Sequence, residues 1–534
     1  MLYDLIIKNG LVIDGTGEPG RAADVAVAAG KIAAVGRLSE SNARRVIDAR
    51  GLTVTPGFID NHTHSDANAL IDPWARNSLL QGVTTEVGGN CGISFAPING
   101  YSDSIIAGHY GDLPEDERRA LLADISFPEF MDRLEALPMG ANIVCCLGQG
   151  TLRASVMGLV EGKADAARME SMRAIIREAM RSGASAMTTG LIYPPGSVTG
   201  EEELTELCRT VAECGGHYCT HMRDEGDSIV SSVEEALRTA KNSGVRLVIS
   251  HHKITGQRNF GLSERTLAMV DEANASGMDV YFDQYPYVAG ATNLTAAMPK
   301  EFTLDRSKLI KDLADRGFRR RVLEAIDRGE SESEILMRSA GGPENVVVSN
   351  AEGMPELTGK TLVEAGRIMG LDPYDAMFEI VIRTNANAMA TFFCMSEEDV
   401  MRIMRHPRTM FGSDASRASV SNYFGHPRAF GTFSTILTKY VRENKVMPLE
   451  EMVRKACHLP ALVNNLPGKG LIKPGYDADI AVFDYENMKV LSGYANPDGG
   501  NEGFRYVLVG GQVAVENDKC TGALAGRLIR VPHK

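Results

Sequence analysis

The 534-residue chain has no basic cluster, no low-complexity tract, no regularly spaced cysteines and no apolar run near the ~20 residues of a membrane span. Each absence removes a class of protein. Lys and Arg number 56 against 69 Asp and Glu, a net charge of −13, which argues against nucleic acid as a partner. The opening MLYDLIIKNGLVIDGTG has no basic stretch ahead of an apolar core, so neither a leader nor a membrane anchor is expected. The nine cysteines sit inside apolar runs such as IVCCLG and HYCTH rather than in a disulfide framework. They read as reduced, mostly buried thiols of a cytoplasmic protein. What is present is ordinary globular composition, 44% apolar and 23% charged, in a chain long enough for one large body and an appendage.

Residues 1–55 alternate short β-prone runs with glycine turns: DLIIKNG, LVIDGTG, DVAVAAGKIAAVG, RRVIDARG and LTVTPG. From Pro56 the pattern changes to apolar strands followed by amphipathic helices, the signature of parallel β/α units covered on both faces. Nine strand candidates follow: GFIDNHTH, TTEVGGNCG, ANIVCCLG, GASAMTTGL, GHYCTHM, RLVISHH, DVYFDQYPY, ENVVVSN and TMFGSDA. A closed barrel takes eight. ENVVVSN falls within a long charged connection, about 290–350, and is assigned to an insertion over the barrel mouth. Helices are expected over DAARMESMRAIIREAMRSG and SIVSSVEEALRTAKNSG, the latter closed by Gly244. β-prone character returns in LIKPGYDADIAVFDY and FRYVLVGGQVAVEND. The expected architecture is thus α/β: a TIM-like (β/α)8 hydrolase barrel over 56–465, with a small β-sandwich built from both termini, 1–55 and 466–534.

The C-terminal ends of barrel strands converge on one face, so the polar residues found there belong together. His62 and His64 end the first strand, Cys91 follows the second, His221 ends the fifth, His251 the sixth and Asp414 the last. Singly, each has a plain structural explanation: core histidines with satisfied hydrogen bonds, a small buried thiol, a helix-capping aspartate. Six such accidents at strand ends are a poor explanation of the set. Imidazole and thiolate donors select zinc over magnesium or calcium, and Asp414 supplies a carboxylate beside it. By strand alternation His252 faces away from the barrel axis, and Cys219 faces inward one layer below His221. His217 reads as a packing residue near the barrel floor, and Lys253 as turned away from the metal.

These residues, with TPGFIDNHTHSD, EVGGNCGIS, GLIYPPGS, GHYCTHMRDEG, VISHHK, DQYPYVAG, FGSDAS, GHPRAFGTF and KPGYDADIAVFD, resemble the amidohydrolase superfamily and within it the N-acyl-D-amino-acid deacylase (D-aminoacylase) group, from end to end. GNCG, with Cys91, is the most specific of them, because most relatives bridge their metals with a lysine carbamate or a glutamate. The resemblance implies one tightly bound zinc on Cys91, His221 and His251, and a second, weaker site at His62 and His64 whose occupancy the residues leave open. It implies hydrolysis of a small-molecule N-acyl-D-amino acid by metal-activated water, with Asp414 shuttling the proton. It also implies that Tyr193, Tyr285 and Arg428 bind the substrate carboxylate, with Tyr287 the fallback for Tyr285. Packing at the barrel rim is the plain alternative for the tyrosines.

After YPY the run VAGATNLTAAMP carries no Arg or Lys before Lys300, so an apolar side-chain pocket is expected, with Lys253 the nearby charge that would overturn it. The chain departs from the group at Gln149, where relatives often carry histidine, and in ASRASVSNYFGHP, which lacks their His-rich character. The alternatives are a cyclic-amide hydrolase of the hydantoinase or dihydroorotase kind, a dipeptidase-like enzyme, or a metal-free barrel scaffold. GASAMTTGL has no lysine to carbamylate, which disfavours the first, and the full donor set disfavours the last.

Overall fold

The computed structural model describes residues 2–100, 102, 115–159, 162–329, 331, 333–417 and 425–533. Among them, eight parallel strands form a barrel: Phe58–Asp60, Val83–Gly88, a third in two segments (Asn142–Cys145 and Leu147–Gly148), Ala186–Gly190, His217–His221, Arg246–Ile249, Val280–Gln284 and Thr409–Phe411. The last returns to the first through Asn61 N–H to Phe411 O, 3.0 Å, and Asp414 N–H to His62 O, 2.8 Å.

Strand alternation builds the interior. Ile59, Val87, Val144, Cys146, Ala186, Cys219, Val248, Tyr281 and Met410 point inward and pack together, whereas their neighbours Ile143, Met187, Tyr218, Leu247 and Phe282 face the outer helices. Val531 and Val463 plug the floor of the same cluster. Cys219 therefore lies in the packed layer below His221. His252 points outward, its Nε2 2.9 Å from Thr266 Oγ1 and its ring stacked on Phe282.

The surrounding helices stop where local chemistry says they should. Asp165 caps Ala166–Arg181 by accepting from Arg168 N–H. Gly244, at φ +75°, closes Ile229–Ser243 in the left-handed conformation that suits glycine. Both termini contribute to a nine-stranded sheet in which Ile480–Phe483 pairs with Thr53–Pro56, joining the C-terminal strands to the N-terminal ones.

Val346–Asn350, from ENVVVSN, lies outside the barrel and pairs antiparallel with Met389–Phe393, which pairs in turn with Ala289–Asn293. The excursion between the seventh and eighth barrel strands therefore continues well past residue 350, because Met389–Phe393 is the central strand of its sheet. That strand carries no flanking turn signal strong enough to announce it. The edge strand Ala289–Asn293 reaches the barrel mouth: Ala289 O accepts from His426 Nε2 at 2.8 Å and Ala291 O from Arg428 Nη2 at 3.1 Å. No helix among the described residues is long and apolar enough to cross a membrane.

Candidate metal centre

Cys91 occupies a loop that only glycine-rich sequence can build. Cys91 itself has φ +52°, between Gly89 at +84° and Gly92 at +74°. A Cβ on Gly89 would lie 2.3 Å from Cys146 O, and one on Gly190 would lie 2.2 Å from Cys91 O. Asp66 clamps the loop by accepting from Gly89 N–H and Phe95 N–H, both at 2.8 Å. His251 and Asp414 also have positive φ, +36° and +54°. Backbone strain thus gathers at three of the six predicted residues, where surrounding contacts hold it in place.

The donors of His62, Cys91, His251 and Asp414 all lie within 4.8 Å of one another, and those of His221, Glu225 and His251 form a second such group. Cys91 Sγ is 3.3 Å from His62 Nε2 and from His251 Nε2, and His251 Nε2 is 3.1 Å from His221 Nδ1. Nitrogens this close, aimed at a sulfur, make little sense as hydrogen-bond partners alone. The opposite ring nitrogen of His62 faces a carboxylate, Nδ1 lying 3.1 Å from Asp283 Oδ1, while that of His251 lies between Lys253 Nζ at 2.6 Å and Glu225 Oε1 at 3.2 Å. An acceptor behind an imidazole leaves the facing nitrogen as a lone pair, the arrangement of a metal-ligating histidine. The residues fit a thiophilic, imidazole-binding divalent ion such as zinc.

Burial would push the Cys91 thiol up, but the neighbouring His62 and His251 outweigh it and hold it well below the usual thiol range. Burial would lower His62, yet Asp283 and the Cys91 thiolate keep it well above its ordinary value. His64 follows the same pattern, opposed by burial and raised to about 9 by Asp414 and Cys91. For Asp414 burial is overridden by Arg428 and His64, leaving the carboxyl well below the usual range. In the absence of a metal the Cys91 thiolate and the Asp414 carboxylate are thus balanced by imidazolium protons, whose place a bound cation would take.

His64 stands apart from the tight four-donor group, half-buried, with Nε2 3.1 Å from Asp414 Oδ1. Asp414 Oδ2 takes Arg428 Nη1 at 2.7 Å, and the Arg428 guanidinium lies over the Tyr285 ring at 5.5 Å. Tyr193 packs edge-on against His221 and its hydroxyl is 3.0 Å from Thr292 Oγ1. Tyr287 faces elsewhere: its hydroxyl donates to Pro427 O at 3.3 Å. Gln149 is buried, its Nε2 donating to Thr199 Oγ1 at 3.1 Å. Much of the ASRASVSNYFGHP segment, residues 418–424, lies outside the described residues.

One expectation fails. Lys253 does not turn away: its Nζ is 2.6 Å from His251 Nδ1 and 2.8 Å from both oxygens of Glu225. Lys253 is two residues after His251, a spacing that puts both on the same side, although the sixth strand itself has ended at Ile249. Two site residues were missed altogether. Asp283 had a signal, since it lies one residue from the end of the seventh strand with the same parity as the inward Tyr281. Glu225 had none, because it lies in a loop beyond the fifth strand.

A β/α barrel with a thiolate, three imidazoles and a carboxylate at its C-terminal rim defines a class of metal-dependent barrel proteins. The chain belongs to the amidohydrolase family, whose model matches residues 45–515. It is 36% identical to a D-aminoacylase from Alcaligenes xylosoxydans xylosoxydans, covering 99% of this chain and 97% of that one. It is 34% identical to an N-acyl-D-glutamate deacylase of the same organism, covering 95% and 93%. The crystal structure of an N-acyl-D-glutamate deacylase from Bordetella bronchiseptica, complexed with zinc and a phosphonate mimic of the tetrahedral intermediate, superposes with a TM-score of 0.83 at 31% identity, covering 99% of this chain and all of that one.

Proposed function

We propose that this protein is a zinc-dependent deacylase that hydrolyses the amide bond of N-acyl-D-amino acids, releasing a carboxylate and a free D-amino acid. The observation that carries the reading is the convergence of Cys91 Sγ with His62 Nε2 and His251 Nε2, beside the Asp414 carboxylate. Cys91, His221 and His251 would hold the main ion, with His62 and His64 at a second, weaker position. Zinc, when bound, supplies a Lewis acid that polarises the amide carbonyl and makes water a competent nucleophile near neutrality.

The chain's own residues do the rest. Asp414, ionised, accepts the proton of the attacking water and returns it to the departing amine nitrogen. His64 fixes one carboxylate oxygen and Arg428 the other, so the base is oriented before substrate arrives. Arg428, Tyr193 and Tyr285 would bind the substrate's α-carboxylate; the Arg428 guanidinium over Tyr285 and beside Asp414 supports this, and Arg is suited to a paired contact with a carboxylate.

The side chain is proposed to be apolar. Lys253 is neutralised by both oxygens of Glu225, and Lys300 Nζ donates to the Ser197 backbone at 3.4 Å. The strand Ala289–Asn293, which reads AGATN, carries no charged side chain. A cyclic-amide hydrolase with a carbamylated lysine is disfavoured because the fourth strand, Ala186–Gly190, reads AMTTG. The nine free thiols, seven of them buried, fit a cytoplasmic setting. The test is reconstitution: metal-stripped protein should be inactive on N-acetyl-D-leucine and regain activity with about one equivalent of zinc, whereas full activity after stripping would remove the metal from the account.

A further inference from the structure

The GHPRAFGTF stretch puts a buried histidine, His426, two residues ahead of Arg428. Both of its ring nitrogens are engaged. Nε2 lies 2.8 Å from Ala289 O, and Nδ1 lies 3.2 Å from the backbone nitrogen of Arg428. A carbonyl only accepts and a backbone N–H only donates, so the ring carries its proton on Nε2 and a lone pair on Nδ1. Burial first and the Arg428 cation second push its pKa down to about 3, which agrees with a neutral ring that has one donor and one acceptor. Edge-on contacts hold the ring plane, with centroids 4.9 Å from Tyr287 and 5.4 Å from Tyr494.

Arg428 opens the helix Arg428–Thr435, and a helix leaves its first N–H groups without partners inside itself. His426 takes the Arg428 N–H and ties it to the strand Ala289–Asn293. Two residues further along that strand, Ala291 O accepts from Arg428 Nη2 at 3.1 Å. Carbonyls two residues apart on a strand face the same edge, so His426 and the Arg428 guanidinium dock side by side on one edge while the other pairs with Met389–Phe393. From this clamp Arg428 Nη1 reaches Asp414 Oδ2 at 2.7 Å.

Resting on the deacylase reading above, we propose that His426 is a positioning residue for Arg428. By clamping the start of the helix to the strand Ala289–Asn293, it sets where the guanidinium meets Asp414 and the substrate's carboxylate. Its two bonds go to Ala289 O and the Arg428 N–H rather than to a metal donor, so its effect on turnover passes through Arg428.

The two bonds can be removed together or one at a time. Phe keeps the size of the ring and removes both, Gln places an NH2 near the Nε2 position, and Asn places an oxygen near the Nδ1 position. In zinc-loaded His426→Phe, KM for N-acetyl-D-leucine should rise about tenfold or more, with kcat within a few-fold of wild type and zinc content unchanged. His426→Gln and His426→Asn, each keeping one end of the clamp, should fall between wild type and His426→Phe. The decisive readout is the double variant. With Arg428→Lys already in place, adding His426→Phe should raise KM by no more than about twofold further, whereas a residue that only supports the fold would cost the same in both backgrounds. A further rise as large as in the single variant overturns the proposal, as does an unchanged KM in His426→Phe. If His426→Phe does not fold, His426→Gln carries the same cycle. Zinc-loaded wild-type protein that cleaves no N-acetyl-D-amino acid overturns the deacylase reading and this proposal with it; additive losses beside normal wild-type turnover overturn this proposal alone.

Discussion

Asp414→Asn isolates the proposed proton shuttle with the least collateral change. At φ +54° the backbone is left-handed, a conformation that Asn tolerates nearly as well as Asp, whereas Ala would add about 1–2 kcal/mol of strain. The volume is conserved, and Cys91, His221 and His251 keep their contacts. What is lost is the charge and the ability to accept a proton. General acid–base catalysis supplies about 10²- to 10⁴-fold, or about 3–5 kcal/mol of barrier. The substitution also breaks the pair with Arg428, whose side chain is 11% exposed like that of Asp414. Losing one partner of a buried pair costs about 3–5 kcal/mol, and Arg428 keeps its bond to Ala291 O, so the low end applies. Steady-state kinetics on N-acetyl-D-leucine, with zinc content measured on the same sample, should show kcat down at least about a hundredfold, KM changed by only a few-fold and zinc retained. A kcat within tenfold of wild type would refute the shuttle. Loss of zinc would show that Asp414 holds the metal instead.

Cys91→Ala removes the only thiolate in the donor group and should abolish both activity and tight zinc, read by metal analysis after dialysis. Gly412→Ala would set a Cβ 2.4 Å from His62 Cβ, and should lower stability by about 1–3 kcal/mol while weakening zinc, checked by denaturant melts and chelator competition. Arg428→Lys keeps the charge but loses the planar fork; KM for the D-substrate should rise about tenfold or more, and an unchanged KM would remove Arg428 from carboxylate binding. In metal-free protein, His64 is raised to about 9 from an unfolded value near 6.5. Its contribution is therefore fully present below about pH 6.5 and lost as pH rises through 9, so the urea midpoint of apoprotein should fall over that window and zinc should flatten the decline.

The strand-end pattern was legible because barrel strands bury both faces and leave their few polar residues at the rim. His62 and His64 illustrate the limit of that reasoning. The first strand stops at Asp60, so it is not strand alternation that aims them at Asp414. The chain is instead zipped to the eighth strand's exit, Asp414 N–H to His62 O and His64 N–H to Ala415 O. Lys253 was misread through its spacing, since two residues past His251 it falls on the same side and not the opposite one. Asp283 could have been found from its parity with Tyr281, whereas Glu225, four residues past His221 in a loop, is held at the histidines by contacts from Lys253, Thr255 and Glu334 that strand parity does not encode. The continuation of the outer excursion to Phe393 was likewise hidden in the pairing of Met389–Phe393 with two partners far away in sequence.

The most direct test of the central claim is amine release from N-acetyl-D-leucine, N-acetyl-D-methionine and N-acetyl-D-glutamate beside their L forms, using zinc-loaded protein. The account predicts cleavage of the two apolar D compounds, little of D-glutamate and none of the L forms. Preference for D-glutamate would overturn the apolar pocket and implicate Lys253 or Lys300, and cleavage of no D compound by protein holding stoichiometric zinc would contradict the deacylase reading itself.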